Sequence, residues 1–231
     1  MVYMGSKSRI IKDLLPIILK NREPAQWYVE PFAGGMNAIC EVQGNRIAND
    51  VHPHLIEMWH ALVGGWVPKK ITKEEYKNVR LNQDDYPSYF VGWVGFSCSY
   101  SCKWFGGFAN SRKGRDYQIE AFKNISKQIN KIKGTIFSNK SYLDLEIPPN
   151  SIVYCDPPYE GTTKYTGELD HDEFWEWARR MSRRGHTVFV SEYKSPSDFE
   201  CVWEKDLKSF LALGKRGSIR TEKLFKLNES N

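Results

Sequence analysis

Long apolar runs are missing from this chain. The run Ile10 to Leu19 is broken by Lys12, Asp13 and Pro16 and is too short to cross a bilayer, so it predicts an amphipathic helix rather than an anchor. Nothing at the start of the chain reads as a signal peptide, and the expectation is a cytoplasmic protein with no membrane partner. The five cysteines, Cys40, Cys98, Cys102, Cys155 and Cys201, are odd in number and scattered, which argues against a disulfide framework and for reduced thiols. Cys98 and Cys102 have no second Cys or His pair at a matching spacing, so a structural zinc site is not expected. Internal repeats and low-complexity tracts are absent. There is no G-x-G-x-x-G and no Walker pattern, so a dinucleotide or a nucleoside triphosphate fits poorly.

What is present describes a globular domain. The 231 residues suit one domain with an insertion. Apolar residues make up 41%, charged residues 26%, and mean hydropathy is −0.55, which excludes a disordered tail and a polytopic membrane protein. Net charge is +5, a mild excess that permits a nucleic-acid partner. Eight Trp residues stand within a 14% aromatic share; they can fill a core or stack on bases.

Strand and helix patterns alternate. The expected elements are a helix over 10–19, a strand over 27–30, a helix over 36–42, a strand over 46–50 and a helix over 55–62. This βαβα order implies a parallel sheet. The rhythm changes at Gly64-Gly65-Trp66-Val67-Pro68. Helices are expected over 72–82 and 117–132, with an aromatic stretch between Tyr86 and Phe108. Residues 101–135 hold eight basic side chains against Asp116 and Glu120, so positive charge concentrates there. Strands over 135–138, 151–155 and 187–191 and a helix over 172–182 restore the first pattern. The segments around Cys201-Val202-Trp203 and 223–227 predict a closing hairpin.

Two segments carry chemistry. Val29-Glu30-Pro31-Phe32-Ala33-Gly34-Gly35 ends the first strand, where small residues let the backbone approach a ligand at the carboxyl edge of a parallel sheet. Alone it is equally an ordinary tight turn. Asp50 ends the next strand, twenty residues after Glu30, a spacing that suits a ribose with two free hydroxyls. The second segment, Ile152-Val153-Tyr154-Cys155-Asp156-Pro157-Pro158-Tyr159, is an apolar strand ending in two prolines that fix φ and remove two donors. Asp156 offers an acceptor carboxylate, Pro157 an acceptor carbonyl and Tyr159 a flat ring. Two acceptors beside an aromatic face fit the exocyclic amine of a planar base.

Together these residues resemble the DNA N6-adenine methyltransferases of the α group, the Dam-type class, and especially its short phage and prophage members. Tyr3-Met4-Gly5-Ser6-Lys7 is similar to their N-terminal cofactor motif. The segment 29–35 with Ala48-Asn49-Asp50 resembles their S-adenosylmethionine motifs, and Tyr154-Cys155-Asp156-Pro157-Pro158-Tyr159 resembles their catalytic motif. The likeness covers nearly the whole chain. It implies an α/β, Rossmann-like methyltransferase fold: a mostly parallel sheet with a C-terminal antiparallel hairpin, a core of 1–63 and 135–231, and a small helical target-recognition insertion over 64–134. It implies S-adenosylmethionine as cofactor, S-adenosylhomocysteine as product, no metal, double-stranded DNA as partner and a monomer in solution.

The resemblance also implies roles. Tyr3, Lys7, Glu30, Pro31, Phe32, Gly34 and Asp50 would bind the cofactor, with Ser141 and Tyr142 near its adenine. Asp156, Pro157, Pro158 and Tyr159 would be catalytic, Asp156 also facing the cofactor. The adenine would be flipped, because N6 in a duplex is paired and out of reach. Transfer would be direct, without a covalent enzyme intermediate. Ser97, Ser101, Lys103, Arg112, Lys113 and Arg115 would contact DNA, although an aromatic core and a solvated basic face are the plainer readings of those segments. His52 and His54 predict surface or capping positions. Cytosine N4, adenine in RNA, or a DNA-binding module without turnover are the alternatives.

Overall fold

A computed structural model describes residues 1–3, 5–111, 114–161, 169–209 and 218–228. Arg112 and Lys113, expected at DNA, lie outside the described residues, as does Met4. The strands are β1 (Tyr28–Glu30), β2 (Arg46–Asn49), β3 (Ile136–Ser138), β4 (Ile152–Cys155), β5 (Thr187–Glu192), β6 (Phe199–Ser209) and β7 (Ser218–Leu227). They form one sheet in the order β3-β2-β1-β4-β5-β7-β6. The first five are parallel, while β7 runs antiparallel to both β5 and β6. This is the expected α/β methyltransferase architecture with its closing hairpin, whose strands are longer than the short segments anticipated. Strand order reverses between β1 and β4, where ligands of open α/β sheets bind beyond the carboxyl ends.

The two-residue period of a strand divides the core. Tyr28, Ala48, Ile152 and Tyr154 face one cluster, with Ile10, Leu14 and Trp59. Val29, Ile47, Val153 and Cys155 face another, with Phe174, Trp177 and Met181. Strands β1, β2 and β4 are buried throughout, as a parallel sheet covered on both faces requires.

The helices are α1 (Ile11–Ile18), α2 (Pro53–Val63), α3 (Lys73–Leu81), α4 (Ser88–Gly92), α5 (Tyr117–Ile129) and α6 (His171–Arg183). Their starts follow capping chemistry. Thr72 and Glu75 form a reciprocal capping box at α3, Asp116 caps α5, and Asp170 accepts from the Glu173 amide at α6.

The helix expected over 36–42 does not form. Only Ile39–Glu41 makes a 3-10 turn, and Met36 sits at φ 56. The Gly35 carbonyl, which a helix would use internally, accepts from the buried Gln128 amide of α5 at 3.0 Å, and the Met36 carbonyl is shared between that amide at 3.1 Å and the Cys40 amide at 3.3 Å. His52 stands at the N-cap position of α2, but its side chain makes no capping bond. His52 is buried, edge-on to Phe96 and Trp104 at 4.9 and 4.2 Å, and burial lowers its pKa to about 4. Residues from far along the chain cover it.

The aromatic stretch is itself a packed core. A Cβ on Gly95 would lie 2.2 Å from the Trp104 ring, so that ring lies on bare backbone. Trp104 in turn stacks on His54 at 5.5 Å. Ser101 and Lys103 remain exposed at its rim.

Candidate active site

The carboxyl edges of β1, β2 and β4 bring Glu30, Asp50 and Asp156 to one end of the sheet. The turn after β1 is held from three sides. Asn49 donates to the Pro31 carbonyl at 3.0 Å, Trp59 to the Gly34 carbonyl at 3.3 Å, and Gln128 to the carbonyls beyond it. Gly34 takes φ +46, and a Cβ on it would meet the Tyr3 ring at 2.8 Å. Tyr3 thus packs over the Gly-Gly turn, with its ring 5.9 Å from Phe96.

Glu30 is buried and accepts from the Tyr28 hydroxyl at 2.8 Å. Burial pushes its pKa up to about 8 despite that bond. Asp50 accepts from the Gly34 amide on one oxygen and from the His52 amide on the other, both at 3.0 Å. A carboxylate can accept about four hydrogen bonds, so capacity remains for two hydroxyls. Burial raises the Asp50 pKa, while these two amides oppose the rise.

Phe32, Tyr142 and Phe174 form an aromatic wall on the other face of the sheet. Tyr142 lies 5.3 Å from Phe32 and 5.3 Å from Trp177. The Tyr142 hydroxyl is buried with no hydrogen-bond partner among the described residues. Ser141 is half-buried beside it.

Lys7 arrives from the N-terminal segment and is buried. Its ammonium lies 2.9 Å from Asp156 Oδ1, 3.6 Å from Glu222 Oε2 and 4.3 Å from the Tyr159 ring centroid. The Tyr159 hydroxyl donates to Glu222 Oε2 at 3.0 Å, and its ring meets Tyr193 edge to face at 4.6 Å. Burial raises the Asp156 pKa, Lys7 lowers it, and Glu222 adds to the rise. Pro157 is buried and Pro158 exposed. Glu192, at the end of β5, accepts from the amides of Glu160 and Tyr193. It therefore fixes the chain just beyond Tyr159.

The segments expected at DNA fare unequally. Ser97 is buried with its hydroxyl against Met58 Sδ at 3.9 Å, so it does not reach a phosphate; the stretch that carries it folds in on its own aromatics. Arg115 is exposed but pairs with Glu120 at 2.6 Å and lies over the Tyr117 ring. A shallow, open surface depression lined by Tyr193, Lys194, Arg220, Thr221 and Lys223 was not anticipated. Its Arg220 donates to the Tyr193 hydroxyl at 3.3 Å, and Tyr193 is the neighbour of Tyr159. Glu222, Glu192, Gln128 and Trp59 also escaped the sequence reading, since none stands in a recognisable local pattern.

The arrangement can hold a positively charged ligand beside a flat ring and accept hydrogens from an amine at Asp156. Among solved structures, the chain is similar to a protein described as a methyltransferase, yhhF from Escherichia coli. The identity is 12%, over 96% of this chain and 88% of that one, with TM-score 0.40. It is also similar to the tRNA (m1A58) methyltransferase TrmI of Aquifex aeolicus (11% identity, 94% and 68% of the two chains, TM-score 0.40). A third likeness is to aTrm5 in complex with tRNALeu (13% identity, TM-score 0.39), where the match covers 95% of this chain but only 46% of that one. These likenesses are loose, and the family follows from the sequence match instead. Residues 3–93 and 96–215 match the D12 class N6 adenine-specific DNA methyltransferase family. The match takes in the N-terminal segment, the glycine turn with Asp50, and Asp156 to Tyr159, and the chain belongs to that family of enzymes, which methylate adenine N6 in DNA with S-adenosylmethionine as donor.

Proposed function

We propose that Asp156, the Pro157 carbonyl and Tyr159 receive an adenine flipped out of duplex DNA, while Glu30, Asp50, Phe32 and the turn at Gly34 hold the cofactor. The observation that carries this reading is the placement of Glu30, Asp50 and Asp156 at the ends of three adjacent parallel strands, around the point where strand order reverses. S-adenosylmethionine supplies a methyl group on a positively charged sulfur, and it also carries an ammonium and two ribose hydroxyls. Three carboxylates fit that charge, and the spare acceptor capacity of Asp50 fits the two hydroxyls. The aromatic wall of Phe32 and Tyr142 fits the cofactor's flat base.

Adenine N6 is a weak nucleophile because its lone pair is delocalised into the ring. Asp156 and the Pro157 carbonyl accept its two hydrogens, which favours a pyramidal nitrogen with the lone pair turned toward the methyl. The surplus proton leaves the product nitrogen through Asp156 to solvent. Tyr159 stacks on the base and holds its plane. The chain's contribution is thus positioning and preorganised charge.

Residues 64–134 act as the target-recognition region, with the exposed Ser101, Lys103 and Arg115 turned to DNA; Arg112 and Lys113, outside the described residues, add to its positive charge. Lys194, Arg220 and Lys223 add positive charge next to the base site and suit phosphates of the target strand. The enzyme works on double-stranded DNA as a monomer in the cytoplasm. The short insertion suits a short or relaxed recognition site.

The cofactor assignment has a thermodynamic consequence. Glu30, with its pKa near 8, is mostly protonated at pH 7. A cation held beside it favours the anion, so binding expels a proton. Affinity for S-adenosylmethionine is therefore expected to rise about tenfold between pH 6 and pH 7, below the range in which the ligand's own α-amino group loses its proton. Titration calorimetry in buffers of different ionisation enthalpy measures the released proton directly. In Glu30→Gln the proton release and the pH dependence should both vanish. Binding that is independent of buffer and pH in the unaltered enzyme would overturn this placement of Glu30.

A further inference from the structure

We infer that Glu222, on the C-terminal hairpin, is a positioning residue of the methyl-transfer site, acting through Tyr159 and Lys7. This deepens the reading above and rests on it. Nothing in the sequence around Glu222 marks it: it stands in the strand Ser218–Leu227, 63 residues from Tyr159. The fold nevertheless aims it at the catalytic residues. One oxygen, Oε2, accepts from the Tyr159 hydroxyl at 3.0 Å and lies 3.6 Å from the Lys7 ammonium. That ammonium is 2.9 Å from Asp156 and 4.3 Å from the Tyr159 ring centroid.

Two physical consequences follow. A phenol ring anchored only by packing can swing about its side-chain bonds, whereas a hydrogen bond to a mostly buried carboxylate fixes the plane on which a base would stack. Tyr193, edge-on at 4.6 Å, blocks one direction of swing, and Glu222 holds the far end of the ring. The second consequence concerns charge. When Asp156 turns its lone pairs to the target amine, the buried Lys7 ammonium would be left short of partners, at a large cost. Glu222 already lies within reach and keeps that cation compensated. It therefore releases Asp156 for the substrate without leaving a bare charge beside it.

The test is steady-state methylation of duplex DNA by Glu222→Gln, Tyr159→Phe and the double variant, with thermal melting as a check on folding. Glu222→Gln is expected to lower kcat about tenfold, with KM for S-adenosylmethionine within twofold, because Asp156 at 2.9 Å still holds Lys7 in place and Glu30, Asp50 and Phe32 are untouched. Tyr159→Phe cuts the same hydrogen bond from the other side and should also lower kcat at unchanged cofactor KM. If Glu222 acts through Tyr159, the double variant loses less than the product of the two single losses. An unchanged kcat in Glu222→Gln overturns the inference, as does full multiplication of the two effects. Should Glu222→Gln fail to fold, an unchanged kcat in Tyr159→Phe alone overturns it. An Asp156→Ala control separates the two failures. Transfer lost there but kept in Glu222→Gln removes the positioning role only. Transfer kept in both removes the catalytic reading, and this inference with it.

Discussion

Replacing Asp156 with alanine is expected to lower kcat about a thousandfold while leaving cofactor binding within a few-fold of the unaltered enzyme. The magnitude is that of losing one preorganised polar group at the reacting atom. Asp156 accepts a hydrogen from the nitrogen that must become nucleophilic, and the Pro157 carbonyl cannot supply the missing charge. The variant should still fold, because the Lys7 ammonium keeps Glu222 at 3.6 Å as a carboxylate partner. Rates from single-turnover transfer, with melting temperature and calorimetric cofactor binding measured on the same preparation, distinguish a chemical defect from a structural one. Transfer within tenfold of the unaltered enzyme would show that Asp156 is not the acceptor.

The second large effect belongs to Lys7. Lys7→Met removes the cation from between Asp156 and Glu222, leaving two carboxylates close together with little solvent. Breaking such a pair costs about 3 kcal/mol, toward the low end of the usual range because the Asp156 side chain keeps 24% of its surface exposed. The sign of the pH dependence follows from Asp156. Burial and Glu222 raise its pKa and Lys7 lowers it. Without Lys7 the folded-state pKa rises further above the unfolded value, so the folded form binds its proton more tightly. The destabilisation should therefore be small at acid pH and grow as pH rises through the new, higher pKa. Activity should mirror this. The acid limb of the kcat profile moves to higher pH, because ionised Asp156 is the stronger acceptor and the form that can take the surplus proton from the amine. Denaturant melts and rate profiles between pH 5 and pH 9 measure both; an acid limb that stays in place would contradict the role given to Lys7.

The legible parts of this molecule are those whose cause is local. Apolar strands with helical segments between them predicted the parallel sheet, and a two-residue period explains why Val29 and Tyr28 face different cores. Asp50 and Asp156 stand directly after their strands, so position in the chain and position in the sheet coincide. Thr72 and Glu75 announce the start of α3 through side chains three residues apart.

What escaped depends on residues that meet only after folding. The 36–42 segment has a helical composition, but Met36 sits at φ 56, and Gln128, more than ninety residues away in the chain, takes the Gly35 carbonyl and shares that of Met36 with the Cys40 amide. His52 was expected at the surface or at a helix cap; it holds the N-cap position of α2, but its burial depends on Phe96 and Trp104, which lie far from it in the chain. Ser97 was expected at DNA because a serine among aromatics does not reveal which way its strand of chain turns. Glu222 had no local signal at all, since a carboxylate within the polar run Arg220-Thr221-Glu222-Lys223 does not reveal what it will meet.

The most direct test of the account is methyl transfer itself. Purified protein, S-adenosylmethionine labelled on its methyl group, and unmethylated duplex DNA are incubated, and the DNA is digested and its nucleosides separated. The account predicts label in N6-methyladenine. Label in N4-methylcytosine, or DNA that stays unlabelled while the cofactor binds, would contradict it.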